Sequence, residues 1–136
     1  YEIIRDEPAT IRQLIKQLSR RLDVHCIIFN GGTGVSRRDN TFDAVSGELD
    51  KILPGFGELF RMLSYESIGP SAMLSRAIAG IVLTQSDRKL VGEPDPFAGR
   101  EHTIVYSLPG SPQAVELAMT RLILPTLSHL VWEIGR

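Results

Sequence analysis

At 136 residues, with 43% apolar and 23% charged side chains and a formal charge of −1, the chain has the make-up of one globular domain long enough to bury a core. That balance leaves no global basic footprint for nucleic acid or an anionic membrane. The one cysteine, Cys26, excludes an internal disulfide, and no uninterrupted apolar run approaches the ~18 residues of a bilayer span. A cytoplasmic setting is expected, without nucleic-acid or membrane partners.

The chain opens at Tyr1, and YEII reads as the end of a strand over Glu2–Arg5, so residues are expected upstream. In RDEPATIRQLIKQLSRRL, the residues Ile11, Leu14, Ile15, Leu18 and Leu22 repeat at the spacing of one helix face. Asp6 is the expected N-cap, with Pro8 in the first turn, where its missing N–H costs little. Asp23 to Phe29 is a short apolar run whose length and β-branched content predict a strand buried on both faces. The glycine cluster of FNGGTGVSRRD follows directly, and Thr41 reads as the cap of a helix beyond it.

Pro54-Gly55-Phe56-Gly57 interrupts the chain before a short helix from Glu58 to Leu63. Tyr65–Gly69 is expected as a loop and Ser71–Ala79 as a second short helix. The polar stretch Gln85–Arg100 reads as an exposed loop or hairpin. His102–Leu108 is the last clear strand, broken at Pro109-Gly110, where Ser111 caps a helix with Pro112 at its first position. That helix is expected to reach about Leu124, with Pro125 kinking or splitting it from a terminal helix that ends near Ile134. Strands alternating with helices predict a single α/β domain over residues 1–136, with three α/β/α layers and a mostly parallel central sheet.

In such sheets, ligands bind beyond the carboxyl ends of strands. Two segments have the form of strand, glycine turn and helix: IIF-NGGTG and VYS-LPGSP. The first fits neither the Walker A pattern, having no lysine after Gly34, nor the dinucleotide fingerprint, having Arg37 where a glycine is needed. What remains is an anion-friendly turn, two arginines that can donate to phosphate, and Asp39, which can hold magnesium against phosphate oxygens. Together they suggest a nucleotide or pyrophosphate ligand. A tight turn followed by solvated Arg37 and Arg38 suits the spacing slightly better. Asp6 is a helix cap unless the fold carries it to the glycine loop. Ser71, Ser75 and Arg76 are candidates for a second phosphate, with a plain surface role the alternative for Ser75 and Arg76. Glu66 reads as a solvated loop carboxylate and Cys26 as an inert buried thiol. The histidines at 25, 102 and 129 lack metal-ligand spacing, and no nucleophile elbow occurs.

A third pattern does match the loop. GGTGVSRRDNTFDAV resembles the GGTG-x-x-x-x-D-x-T-x-[DE]-A segment of the MogA/MoaB family of molybdenum cofactor biosynthesis proteins. PGFGELFRMLSYESIG, PSAMLSRAIAG and YSLPGSPQAV resemble further family segments in the same order, so the resemblance covers nearly the whole chain. The family's PGFGE-type segment sets it apart from the looser MoeA and CinA-like relatives. The resemblance implies a molybdopterin-binding domain that uses Mg²⁺ and ATP as co-substrate to adenylylate molybdopterin, releasing pyrophosphate. It implies catalytic and metal-holding roles for Asp39 and Asp6. It also implies nucleotide contacts from Gly31, Gly32, Thr33, Gly34, Leu108, Pro109, Gly110 and Ser111. Ser71, Ser75 and Arg76 would meet the pterin's phosphate.

Family members form homotrimers or hexamers, and other molybdenum cofactor enzymes are candidate partners. The alternative implied by the same resemblance is an oligomer that binds molybdopterin without turning it over. The family's opening strand, with its T-[VI]-S-D-R turn, has no counterpart in these residues.

Overall fold

The computed structural model describes residues 1–21, 23–84 and 102–135. Its elements in chain order are α1 (Pro8–Ser19), β1 (Cys26–Asn30), α2 (Thr41–Ser46), β2 (Lys51–Ile52) and α3 (Pro54–Ile68). After a 3₁₀ turn over Gly69–Leu74 come β3 (Ile78–Leu83), β4 (His102–Leu108), α4 (Pro112–Ala118), a π turn over Met119–Ile123 and α5 (Leu124–Ile134). The strands form a four-stranded sheet in the order β1-β4-β3-β2.

β4 is one of the two inner strands, and all of Thr103 to Leu108 is buried. Its alternating side chains feed two cores. Val105 joins Ile11, Ile15, Ile27, Phe29, Ala44, Val45 and Val82 beneath α1 and α2. Ile104, Tyr106 and Leu108 join Phe60, Ala118 and Ile123 beneath α3, α4 and α5. Helices on both faces make the expected three layers. Each fully buried aliphatic of this kind contributes about 1.5–3 kcal/mol.

The sheet is mixed where a mostly parallel one was expected. β1 and β4 are parallel, whereas β3 pairs antiparallel with both β4 and β2. The antiparallel part comes from β3, which stands where a helix was expected to run on through Ala79. The helical turn stops at Leu74, and IAGIVL then forms a strand of β-branched and small residues.

Other boundaries moved for local reasons. α1 presents Ile11 and Ile15 to the core as predicted, with Leu14 and Leu18 half-buried and Leu22 outside the described residues. Its N-cap is Glu7, without a side-chain hydrogen bond, because Asp6 is engaged elsewhere. Among the described residues Glu2–Arg5 pairs with no strand. β1 alternates, with Ile27 and Phe29 buried and Ile28 exposed. It is an edge strand whose far side opens onto a groove lined by Tyr1, Ile3, Leu18 and Cys26.

α3 runs through Tyr65 to Ile68, where a loop was expected. The expected loop at Gln85–Arg100 lies outside the described residues. Ser111 caps α4 as predicted, its hydroxyl accepting from the Ala114 N–H at 3.2 Å. Pro125 stands in the first turn of α5, where a terminal helix ending near Ile134 was expected to part from the one before it. The widened π turn at Met119–Ile123 absorbs the bond that Pro125 cannot donate, and helical structure continues from Pro112 to Ile134. That 23-residue stretch has the length and composition to cross a membrane, with a mean hydropathy of 1.2 over an 18-residue window. Its Ala114, Leu117, Ala118, Leu122, Ile123 and Leu127 pack in the core beneath the sheet.

Candidate functional site

Because β1 and β4 are parallel with Asn30 opposite Leu108, both glycine turns leave the sheet at one edge. The Gly31 N–H donates to the Leu108 carbonyl at 2.8 Å. A Cβ on Gly110 would stand 3.3 Å from the Gly31 Cα, so the turns touch backbone to backbone. The Gly31–Gly34 loop and the Leu108–Ser111 turn are therefore two halves of one surface. Gly31 and Gly32 have φ of +107° and +61°, a region open to glycine and strained for other residues.

Two carboxylates face the loop, each in the space a side chain would need. A Cβ on Gly32 would stand 2.6 Å from Asp6 Oδ2 and would also strike the Thr41 hydroxyl. A Cβ on Gly34 would stand 2.8 Å from Asp39 Oδ2. Asp6 is carried from the start of α1 to the start of α2. There its Oδ1 accepts from the Thr41 hydroxyl at 2.8 Å and its Oδ2 from the Asn40 N–H at 3.3 Å. The Asn40 side-chain amide donates in turn to the Asp6 carbonyl at 3.1 Å. Asp6 thus ties the start of α1 to the start of α2, beside the loop, where a cap on α1 was expected. Asp39 closes its own turn, with Oδ2 accepting the Ser36 N–H at 2.8 Å while the Asp39 N–H donates to the Ser36 carbonyl at 3.1 Å.

The third segment comes from the entry to β3. The Arg76 N–H donates to the carbonyl of buried Thr33 at 3.1 Å. All three guanidinium nitrogens of Arg76 are engaged by protein. Nε donates to the Gly34 carbonyl at 2.8 Å and Nη2 to the Asp39 carbonyl at 2.9 Å, while Nη1 donates to both Asp43 carboxylate oxygens at 3.0 Å. The group also lies 4.6 Å from the centroid of the Phe42 ring. Arg76 holds the loop from behind. Ser75 Oγ is buried without a hydrogen-bond partner among the described residues, Ser71 is exposed in the 3₁₀ turn, and Arg37 and Arg38 are exposed.

Magnesium is usually held by one or two carboxylates together with substrate phosphates. Asp6 and Asp39 are carboxylates of the type that set needs, and each keeps lone pairs beyond its hydrogen bonds to protein. No group of three or more His, Cys, Asp or Glu suited to a metal occurs among the described residues, so any ion here would share its coordination with substrate. Burial raises the Cys26 thiol from its ordinary 9.0 to about 11, which keeps it protonated and unreactive near neutrality.

The structure brings together the Gly31–Gly34 loop, Leu108–Ser111, Asp6, Asp39 and Arg76. Sequence reasoning missed Thr41 and Asp43 as its supports, and Arg61, whose Nη1 donates to the Ser75 and Ala77 carbonyls on either side of Arg76. A usable signal for Arg61 was present: Gly57 and Arg61 stand one helical turn apart in PGFGELFR, so the glycine lies beneath the arginine.

Residues 1–129 match the family model described as a probable molybdopterin binding domain. Molybdenum cofactor biosynthesis protein B of Bacillus cereus is 47% identical over all of this chain and 70% of its own length. The protein of that name from Halalkalibacterium halodurans is 44% identical over 98% of this chain and 69% of its own. A crystal structure of a molybdenum cofactor biosynthesis protein B superposes with a TM-score of 0.83 at 46% identity, covering all of this chain and 74% of that one. The tungsten cofactor synthesizing protein MoaB from Pyrococcus furiosus gives 0.79 at 29% identity, with the same coverage. The chain has their fold, and it belongs to the MoaB-type family of molybdenum cofactor biosynthesis proteins.

Proposed function

We propose that this protein acts in molybdenum cofactor biosynthesis by transferring the adenylyl group of Mg-ATP to molybdopterin, giving molybdopterin-AMP and pyrophosphate. The observation that carries this reading is the placement of the Asp6 and Asp39 carboxylates against Gly32 and Gly34, on a loop shared by the carboxyl ends of two parallel strands.

A pterin phosphate oxygen attacks the α-phosphorus of ATP. A new P–O bond forms, the bond from the α-phosphorus to the bridging oxygen breaks, and pyrophosphate leaves with that electron pair. The nucleophile is already an anion, so the site needs no base, nucleophilic serine or reactive thiol. Its work is positioning and charge control. The backbone of Gly31–Gly34 and of the Leu108–Ser111 turn cradles the nucleotide phosphates. Asp39 and Asp6 would hold the magnesium that arrives with ATP, whose charge would offset that gathering on the transferred phosphate. The exposed Ser71 serves the pterin's phosphate, together with Ser75, whose buried hydroxyl has no hydrogen-bond partner among the described residues. The same reading takes the chain as a homotrimer or hexamer.

Pyrophosphate release that requires molybdopterin, ATP and magnesium together tests the reaction. Tight pterin binding with no release of pyrophosphate would instead identify a non-catalytic molybdopterin-binding oligomer.

A further inference from the structure

We propose that Arg61 on α3 is a positioning residue for this site, acting through Arg76 to set the Gly34–Asp39 turn. The inference rests on the adenylyl-transfer reading for its kinetic arm and on geometry alone for the rest.

Among the described residues Arg61 hydrogen-bonds neither the glycine loop nor any carboxylate of the site. Its Nη1 donates to the Ser75 carbonyl at 3.2 Å and to the Ala77 carbonyl at 3.1 Å, the backbone groups on either side of Arg76. Arg61 therefore holds the peptide that launches the Arg76 side chain. Arg76 then spends its guanidinium on Gly34, Asp39 and Asp43, before and after the turn that aims the Asp39 carboxylate. Room for this comes from Gly57, one helical turn earlier. A Cβ there would stand 2.6 Å from Arg61 Nη2 and 2.9 Å from the Ala77 carbonyl. Only a residue without a side chain lets α3 lie this close to the start of β3 with a guanidinium between them.

The arrangement runs from Gly57, which leaves the room, through Arg61, whose Nη1 bridges two carbonyls, and through Arg76 to the Asp39 carbonyl. A lysine at position 61 keeps the charge but ends in a flexible ammonium, where the rigid guanidinium presents Nη1 to both carbonyls at once, so it holds the Ser75–Ala77 backbone less firmly. The result is a loosened turn with little change in global stability.

The test compares wild-type protein with Arg61→Lys and Gly57→Ala by amide hydrogen exchange and by steady-state kinetics. In both variants, exchange at the Ser36 and Asp39 amides should speed up by about 10-fold or more while amides of β4 stay protected. Pterin-dependent pyrophosphate release should lose about 10- to 100-fold in kcat with KM for the pterin nearly unchanged, since the reacting groups are misplaced and no ligand contact is removed. Unchanged exchange in the Gly34–Asn40 turn, or equal loss of protection throughout the molecule, overturns the proposal. So does a raised KM at constant kcat in Arg76→Lys with Arg61→Lys silent, which would make Arg76 a direct phosphate ligand. If the wild-type protein releases no pyrophosphate, the catalytic reading fails and the exchange measurement decides this inference.

Discussion

The Asp39 carboxylate fills the space a side chain on Gly34 would need, with Oδ2 2.8 Å from the ideal Cβ position. A methyl group there pushes the carboxylate away and breaks its 2.8 Å bond from the Ser36 N–H. Gly34→Ala should therefore cost about 1 kcal/mol of stability while lowering turnover by about 10- to 100-fold. Gly32→Ala should be worse, costing about 2–3 kcal/mol, because a φ of +61° is strained for alanine and its Cβ meets both Asp6 and Thr41. Chemical denaturation alongside turnover measures both.

Asp6 has a structural duty and a proposed chemical one, and two substitutions separate them. Asp6→Ala removes the acceptor for the Thr41 hydroxyl and the Asn40 N–H and should destabilise by about 0.5–2 kcal/mol. Asp6→Asn retains an oxygen that can accept from Thr41 and should recover most of that stability. It should leave pyrophosphate release depressed, with a raised magnesium requirement. Recovery of full turnover in Asp6→Asn would reduce Asp6 to a tie between helix and loop.

The loop, the last strand and the Ser111 cap were legible in the sequence because each is a local feature: glycines at a turn, a β-branched run, a serine before proline. The joining of the loop to Leu108–Ser111 followed from two segments of the same form in one α/β sheet. β3 was missed although Ile78–Leu83 is a short apolar run with β-branched residues, because a helix read over Ser71–Ala79 overlapped its start. The supports of the site were hidden by distance along the chain. Arg76 read as a phosphate contact or a plain surface residue because its protein partners, Gly34, Asp39 and Asp43, lie more than 30 residues away. Asp6 looked like a cap for the helix it precedes because its true partner, Thr41, is 35 residues on.

The folded state should weaken at alkaline pH in a defined window. Burial raises Cys26 from its ordinary 9.0 to about 11. Burial, with a smaller contribution from the neighbouring Cys26 charge, raises Tyr106 from 10.0 to about 12. Both groups keep their protons in the folded chain after the unfolded chain has begun to lose them. Their contribution to stability is thus intact below about pH 9 and declines as pH rises through the two folded values. Denaturation curves recorded from about pH 8 upward should show the decline, and Cys26→Ala should delay its onset. A flat profile would mean that the thiol is solvated.

Assembly through the outer surface of α3 is expected from its exposed apolar stripe. Leu59, Met62, Tyr65 and Ile68 are each between 47% and 60% exposed and recur every third residue along the helix. Sedimentation should find a trimer or hexamer, and Met62→Glu should shift it toward monomer without loss of helical content. An unchanged mass for Met62→Glu would move the interface elsewhere.

The most direct test of adenylyl transfer is single-turnover formation of pyrophosphate from Mg-ATP with molybdopterin in excess, comparing wild-type protein with Asp39→Asn while pterin binding is measured on both. The expected result is pterin-dependent pyrophosphate from the wild type and a loss of about 100-fold or more in Asp39→Asn, with pterin affinity held within about 3-fold. Equal rates in the two proteins, or pterin bound tightly by the wild type with no pyrophosphate formed, would contradict it.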